Sequence, residues 1–213
     1  MGKLQVKICV LHDPAGLDAA VSAGADWIGL VFFPPSPRAI SPGQAAALSG
    51  RALPTTAGGP GRVGLFVDPE PDEIEATLAT VRLDALQLYG KVGDLPALRA
   101  RFGLPIWRAI GIATASDLPA DAGGADALVI EAKPPPDANR PGGNAARFDW
   151  SLLLDWTAPA PWILAGGLTP ANVAEAIRMT GARCVDVSSG VERARGIKDP
   201  ALIRAFIANA RSA

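Results

Sequence analysis

The sequence predicts a (β/α)₈ barrel, or TIM barrel, formed by residues 1–213 as a single domain. Apolar segments of strand length alternate with helical patterns eight times, which is typical of a parallel sheet. A chain of 213 residues holds eight such units and leaves no room for a second domain. Glycine-containing turns also follow two consecutive strands near the end of the chain, where this fold binds phosphate.

Each predicted strand is an apolar run that ends in a turn, and each predicted helix begins near a capping residue or a proline. The predicted strands are 4–10, 26–33, 62–67, 84–88, 105–110, 126–132, 162–165 and 184–188. The predicted helices are 14–23, one from Ser41-Pro42, 69–80, 93–102, a weak one near Ala115, a short one from Asp149, one from Thr169-Pro170 with Thr169 as N-cap, and 199–210. A doubly wound open sheet is the alternative, but the first βα turn, 11–14, lacks its glycine-rich fingerprint.

Composition restricts the class of partner. A hydrophobic content of 49% favours a well-buried core, and a net charge of −1 argues against nucleic acid. Cys9 and Cys184 lie in apolar runs without metal-ligand spacing, so we expect neither a disulfide nor a metal site. The sequence shows no signal peptide and no long apolar span, and we therefore expect a cytoplasmic protein without a membrane partner.

Two turns predict a phosphate site. Gly166 and Gly167 end the seventh strand, and Ser189 and Gly190 end the eighth. Glycine lets the backbone approach an anion closely, and free N–H groups at such turns favour phosphate. The alternative is that these glycines only form tight turns. We expect a small phosphorylated ligand to bind here.

Chemistry in this fold gathers at the carboxyl ends of the strands. Alternation along the first strand places Lys7 and Cys9 on the inner face. A cysteine above a lysine suits a lowered pKa and a role as base or nucleophile, whereas the alternative is a small buried hydrophobe. Glu131 ends the sixth strand, where it is either a functional carboxylate or a solvated side chain.

Two further charged residues are candidates for binding. Asp186 should point inward from the eighth strand, where it either pairs with Lys7 or contacts the substrate. Arg38 follows three prolines in the second βα loop, where a guanidinium can bind a ligand carboxylate with two hydrogen bonds. The alternative for Arg38 is a solvated loop residue.

Several segments resemble the phosphoribosylanthranilate isomerase family over nearly the whole chain. They are 6–9, 23–26, 36–38, 86–88, 148–150, 164–170 with 172–173, and 185–192 with 198–199. The resemblance implies an Amadori rearrangement in tryptophan biosynthesis, with Cys9 as general base and Glu131 as general acid. It also implies that Arg38 recognises the anthranilate carboxylate and that phosphate binds Gly166, Gly167, Ser189 and Gly190. Proton transfer between two side chains needs neither cofactor nor metal.

The chain departs from the family's usual residues close to this chemistry. Val10 replaces a glycine, Tyr89 a histidine and Glu131 an aspartate, and 142–145 replaces a Gly-Gly-Thr-Gly loop. The alternatives are therefore a divergent paralogue with another phosphorylated substrate and a barrel that binds without turnover. The related isomerase of histidine biosynthesis would need an aspartate in place of Cys9. We expect a monomer or a homodimer.

Overall fold

The computed structural model describes residues 3–134 and 147–213. Eight parallel strands pair in chain order and close into one barrel, as the sequence predicts. The strands are β1 Gln5–Ile8, β2 Trp27–Val31, β3 Gly61–Val67, β4 Ala85–Tyr89, β5 Ile106–Ile112, β6 Ala127–Ala132, β7 Trp162–Leu164 and β8 Cys184–Val187. A short antiparallel hairpin of β9 Glu192–Ala194 and β10 Ile197–Lys198 follows the barrel.

Helices pack around the outside of the barrel. They are α1 Pro14–Ser22, α2 Pro42–Ser49, α3 Pro71–Leu78, α4 Leu95–Phe102, α5 Val173–Thr180 and α6 Pro200–Arg211. Asp13 and Ser41 cap α1 and α2 through their side chains, and a proline opens each of these helices. The weak helix predicted near Ala115 and the short one predicted from Asp149 are single 3₁₀ turns, Ala115–Asp117 and Trp150–Leu153.

The predicted start of the helix after β7 is wrong. Thr169 is not its N-cap and Pro170 does not lie in it, because α5 begins at Val173. The side chain of Asn172 holds the preceding turn instead. Its Oδ1 accepts from Thr169 N at 2.8 Å, and its Nδ2 donates to Gly167 O at 3.0 Å. This turn keeps the backbone after Gly167 out of the helix.

Strand alternation separates two buried apolar layers. Residues such as Val6 and Ile8 pack outward against the helices, whereas Cys9, Trp107 and Val129 fill the barrel interior. The chemistry-bearing side chains of β1, β4, β6 and β8 therefore project into the barrel. No helix of the described segments is long and apolar enough to cross a bilayer.

Candidate active site

A buried lysine links the first and last strands of the barrel. β1 pairs with β8 so that Lys7 lies opposite Asp186. Lys7 is fully buried, and its Nζ donates to Asp186 Oδ2 at 3.0 Å and to Cys9 Sγ at 2.9 Å. The predicted pairing of Lys7 with Asp186 is therefore present. The second carboxylate oxygen, Asp186 Oδ1, is buried and accepts no hydrogen bond from the described residues.

Cys9 lies at the carboxyl end of β1, where the sequence places it, but its predicted acidity is wrong. Burial raises the pKa of the Cys9 thiol to about 11, and the Asp186 carboxylate adds to the increase. Together they outweigh the attraction of Lys7, which alone would favour the thiolate. The Lys7 charge is compensated mainly by Asp186, so the sulfur gains less from it than the sequence suggests.

The residue after Cys9 has a strained backbone. Val10 has a φ of 64°, in the left-handed region that β-branched residues rarely adopt. Such a conformation typically costs about 1–3 kcal/mol and persists only where the surroundings impose it. Glycine has no Cβ and adopts this φ without strain, so glycine suits the position better than valine does. The strain lies at the turn that carries the Cys9 sulfur into the barrel mouth.

Glu131 faces the same interior from the carboxyl end of β6. Its side chain is buried, with 8% of the residue exposed. Burial raises the pKa of Glu131 to about 8, and the Asp186 carboxylate adds to the increase against the opposing influence of Lys7. The carboxyl group is therefore mostly protonated at neutral pH and can donate a proton.

We expect Glu131→Gln to remove a pH-dependent loss of stability. The folded protein holds the Glu131 proton up to about pH 8, whereas an ordinary glutamate has a pKa of 4.5. The contribution of protonated Glu131 to folding stability is therefore fully present below about pH 4.5 and is lost as the pH rises through about 8. The loss is on the order of 3–5 kcal/mol. Urea denaturation at about pH 5 and about pH 9 should show the variant more stable than wild type only at the higher pH.

The exposed Glu175 provides a matched control, because Glu175→Gln neutralises a surface carboxylate of α5. That variant should follow the wild-type pH dependence. Equal stability differences between Glu131→Gln and wild type at both pH values would contradict a buried, protonated Glu131.

Arg38 lies in a buried ion cluster that the sequence did not predict. Its Nε and Nη2 donate to the Glu192 carboxylate at 2.7 and 2.8 Å, and its side chain is 4% exposed. Lys198 Nζ also donates to Glu192, at 3.1 Å, and to the Ser188 carbonyl at 2.7 Å. Two cations, Arg38 and Lys198, thus share the Glu192 carboxylate.

Arg38 and Lys198 keep the Glu192 carboxylate ionised. Burial alone would raise the pKa of Glu192, but Arg38 and Lys198 outweigh it and lower the pKa to about 2. Arg38 comes from the loop after β2 and Glu192 from β9, so the ion pair ties the second βα loop to the hairpin after β8. The solvated alternative for Arg38 is wrong, since the guanidinium is buried.

The two predicted phosphate turns touch each other. Gly166 and Gly167 have φ values of 81° and 64°, which only glycine adopts readily. A Cβ built on Gly190 would lie 1.8 Å from the Leu168 carbonyl oxygen. The loop after β7 and the 3₁₀ turn Ser189–Val191 after β8 therefore pack backbone against backbone, with glycine required at the contact. The turns form one continuous surface at the barrel mouth.

Two other predictions concern metals and the loop after β6. In the segments 3–134 and 147–213, no cluster of three or more His, Cys, Asp or Glu side chains has a geometry that can hold a metal ion. The Gly-Gly-Asn-Ala sequence at 142–145 lies outside the described residues.

Comparison with known proteins identifies relatives along the whole chain. The profile of the N-(5'phosphoribosyl)anthranilate (PRA) isomerase family matches residues 6–209. The N-(5'-phosphoribosyl)anthranilate isomerase of Granulibacter bethesdensis is 54% identical over 215 residues, covering 98% of this chain and 99% of that protein. The enzyme of the same name from Acidiphilium cryptum is 54% identical over 209 residues, with coverage of 98% and 99%.

Solved structures share the fold. A monomeric form of the dimeric phosphoribosylanthranilate isomerase of Thermotoga maritima has a TM-score of 0.81 at 33% identity, covering 99% of this chain and 100% of that one. A phosphoribosyl anthranilate isomerase in complex with reduced 1-(o-carboxyphenylamino)-1-deoxyribulose 5-phosphate has a TM-score of 0.79 at 32% identity, with the same coverage. The chain belongs to the N-(5'-phosphoribosyl)anthranilate isomerase family.

Proposed function

We propose that this chain is an isomerase that catalyses the Amadori rearrangement of N-(5-phosphoribosyl)anthranilate in tryptophan biosynthesis. The observation that carries the proposal is the placement of two proton-transfer groups in one barrel mouth. Cys9 reaches it from β1 and Glu131 from β6, on different sides of the interior. A sugar held between them contacts an acid on one side and a base on the other.

Glu131 supplies the first proton. With a pKa of about 8 it is mostly protonated at neutral pH, and it donates to the ring oxygen of the ribosylamine. The C1′–O bond then breaks, the nitrogen lone pair forms the iminium, and the ring oxygen becomes a hydroxyl. Glu131 is left as a carboxylate in a buried site that contains Asp186.

Cys9 takes the second proton. Its thiolate removes the C2′ hydrogen, the electron pair of that bond forms the C1′–C2′ double bond, and the iminium becomes an enolamine that tautomerises to the ketone. The Lys7 ammonium at 2.9 Å stabilises the negative sulfur. Because the pKa of Cys9 is about 11, this step becomes faster with rising pH until Glu131 loses its proton.

The remaining site residues bind the substrate. Asp186 Oδ1, which accepts no hydrogen bond from the described residues, accepts one from a sugar hydroxyl. Arg38 recognises the anthranilate carboxylate from the buried ion cluster that it forms with Glu192 and Lys198. The phosphate binds the turns of Gly166, Gly167, Ser189 and Gly190. The protein is proposed to act as one barrel domain in the cytoplasm, as a monomer or a homodimer.

Gly190→Ala should weaken phosphate binding strongly. The added Cβ would meet the Leu168 carbonyl oxygen at 1.8 Å, so the two turns must move apart. We expect KM to rise by about tenfold or more, since a misplaced contact of about 1 Å can lower activity by orders of magnitude. Steady-state kinetics and inorganic phosphate titrations measure the effect.

Gly43→Ala is the matched control, because a Cβ on this glycine of α2 meets nothing within 4 Å. Its KM should equal that of wild type. If Gly190→Ala keeps the wild-type KM and phosphate affinity, these turns are not part of the phosphate site.

Growth of a tryptophan auxotroph that lacks this isomerase tests the proposal in cells. Expression of the chain should restore growth on medium without tryptophan. Tight binding of the reduced product analogue without growth or turnover would instead favour a barrel that binds without catalysis.

A further inference from the structure

A glutamine and the chain's only tyrosine form a buried pair on β4. Alternation along the strand points Gln87 and Tyr89 into the barrel, and they are 0% and 9% exposed. Gln87 Nε2 donates to the Tyr89 hydroxyl oxygen at 2.7 Å. The phenol oxygen therefore acts as an acceptor toward Gln87, and its own proton is left to donate in another direction. The amide fixes the position of the hydroxyl.

Strand register brings the Tyr89 residue to the height of Glu131 along the barrel. Leu88 pairs with Arg108 of β5, and Arg108 pairs with Leu128 of β6. Tyr89 follows Leu88 by one residue, whereas Glu131 follows Leu128 by three. In a barrel of this type, the residues at equal height on neighbouring strands are shifted by about one residue from the hydrogen-bonded register. From β4 to β6 this shift adds up to two residues, which is the difference between Tyr89 and Glu131. Tyr89 and Glu131 thus belong to one layer of inward side chains from alternate strands.

The electrostatics agree with this placement. Burial raises the pKa of Tyr89 well above its ordinary value of 10.0, and the Glu131 charge is the next largest cause. Cys9 and Asp186 add smaller increases. Among the described residues, Asp186 and Lys7 are the charged groups that shift the pKa of Glu131. The phenol therefore keeps its proton while Glu131 changes its charge.

The geometry points to Tyr89 as a positioning residue of the acid: its hydroxyl donates a hydrogen bond to the carboxylate that Glu131 becomes after protonating the substrate. This inference rests on the proposed function for its catalytic consequence. Tyr89 acts through Glu131 and neither gains nor loses a proton itself. It supplies a neutral donor where Asp186 would otherwise repel the new charge, and Gln87 holds it in place.

The single tyrosine allows a direct test. Protein grown with 3-fluorotyrosine carries fluorine only at Tyr89, so ¹⁹F NMR should show one resonance. We expect its chemical shift to titrate with a midpoint near pH 8, the pKa of Glu131, and to lose this titration in Glu131→Gln. A resonance that does not titrate between about pH 6 and 9, or one that titrates equally in Glu131→Gln, would overturn the inference. This measurement needs no substrate, so it stands even if the protein does not turn over N-(5-phosphoribosyl)anthranilate.

Kinetics test the catalytic consequence. Tyr89→Phe should lower kcat by about tenfold or more with little change in KM, as expected for a lost hydrogen bond to a charged group. In Glu131→Gln the same substitution should have no further effect, because the carboxylate through which it acts is gone. Independent, multiplicative effects of the two substitutions would contradict a role through Glu131.

Thr77→Val is a control for the loss of a buried hydroxyl. Thr77 is 4% exposed, lies on α3, and donates to the Glu73 carbonyl at 3.0 Å. We expect this variant to alter stability alone. A decrease of kcat equal to that of Tyr89→Phe would show that the loss reflects general destabilisation.

Discussion

Cys9→Ala and Glu131→Gln should each lower kcat by about 10²–10⁴-fold, the usual contribution of a general acid or base. Alanine removes the sulfur that we propose takes the C2′ proton, and glutamine has no carboxyl proton to give to the ring oxygen in the proposed first step. Neither group belongs to the turns at Gly166–Gly167 and Ser189–Gly190, so affinity for phosphate should stay at the wild-type value. Steady-state kinetics with N-(5-phosphoribosyl)anthranilate and titration with inorganic phosphate measure the two quantities.

Cys184→Ala and Glu175→Gln are the matched controls. Cys184 is the other buried cysteine, 7% exposed on β8, and Glu175 is an exposed glutamate of α5. Both variants should keep kcat within about threefold, because neither side chain reaches the proposed reacting atoms. Turnover that is indifferent to Cys9 and Glu131 would show that the proton-transfer groups lie elsewhere.

Lys7→Met should destabilise the fold by about 3–5 kcal/mol, the usual cost of removing one partner from a buried ion pair. Methionine fills much of the same volume, so the loss is mainly electrostatic. It leaves the Asp186 carboxylate, 7% exposed on the neighbouring strand, without its cation. The free energy of unfolding in urea at neutral pH measures the effect.

Two comparisons make this result specific. Adding Asp186→Asn to Lys7→Met should recover part of the stability, because no uncompensated charge remains. Arg51→Met breaks the exposed pair with Asp18, whose side chains are 48% and 54% exposed, and should cost no more than about 1 kcal/mol. Equal losses for Lys7→Met and Arg51→Met would contradict the structural importance of the buried pair.

The barrel could be predicted because its signals are local. Each strand is an apolar run, and alternation alone places Lys7, Cys9 and Asp186 on the inner face. Closure of the sheet then makes β1 and β8 neighbours, which gives the Lys7–Asp186 pair. The start of α5 was mispredicted because Thr169-Pro170 is a strong local signal. The Asn172 side chain overrides it with hydrogen bonds to the preceding turn.

Properties that depend on three-dimensional surroundings were harder to predict. A lysine two residues before Cys9 favours a thiolate, but only the structure shows that Asp186 and burial outweigh it. Similarly, nothing local to Arg38 predicts its pairing with Glu192, which lies 154 residues further along the chain. Long-range ion pairs leave no periodic signal in one sequence, although the acidic and basic residues of 192–198 indicate where partners lie.

Turnover of N-(5-phosphoribosyl)anthranilate by the purified wild-type protein is the most direct test of whether this barrel is a working isomerase. We expect saturable kinetics when the conversion to 1-(2-carboxyphenylamino)-1-deoxyribulose 5-phosphate is measured without added metal or cofactor. The rate should rise with pH up to about 8, because more Cys9 becomes thiolate while Glu131 keeps its proton. Saturable binding of the reduced product analogue with no conversion at any pH would contradict the proposed catalysis.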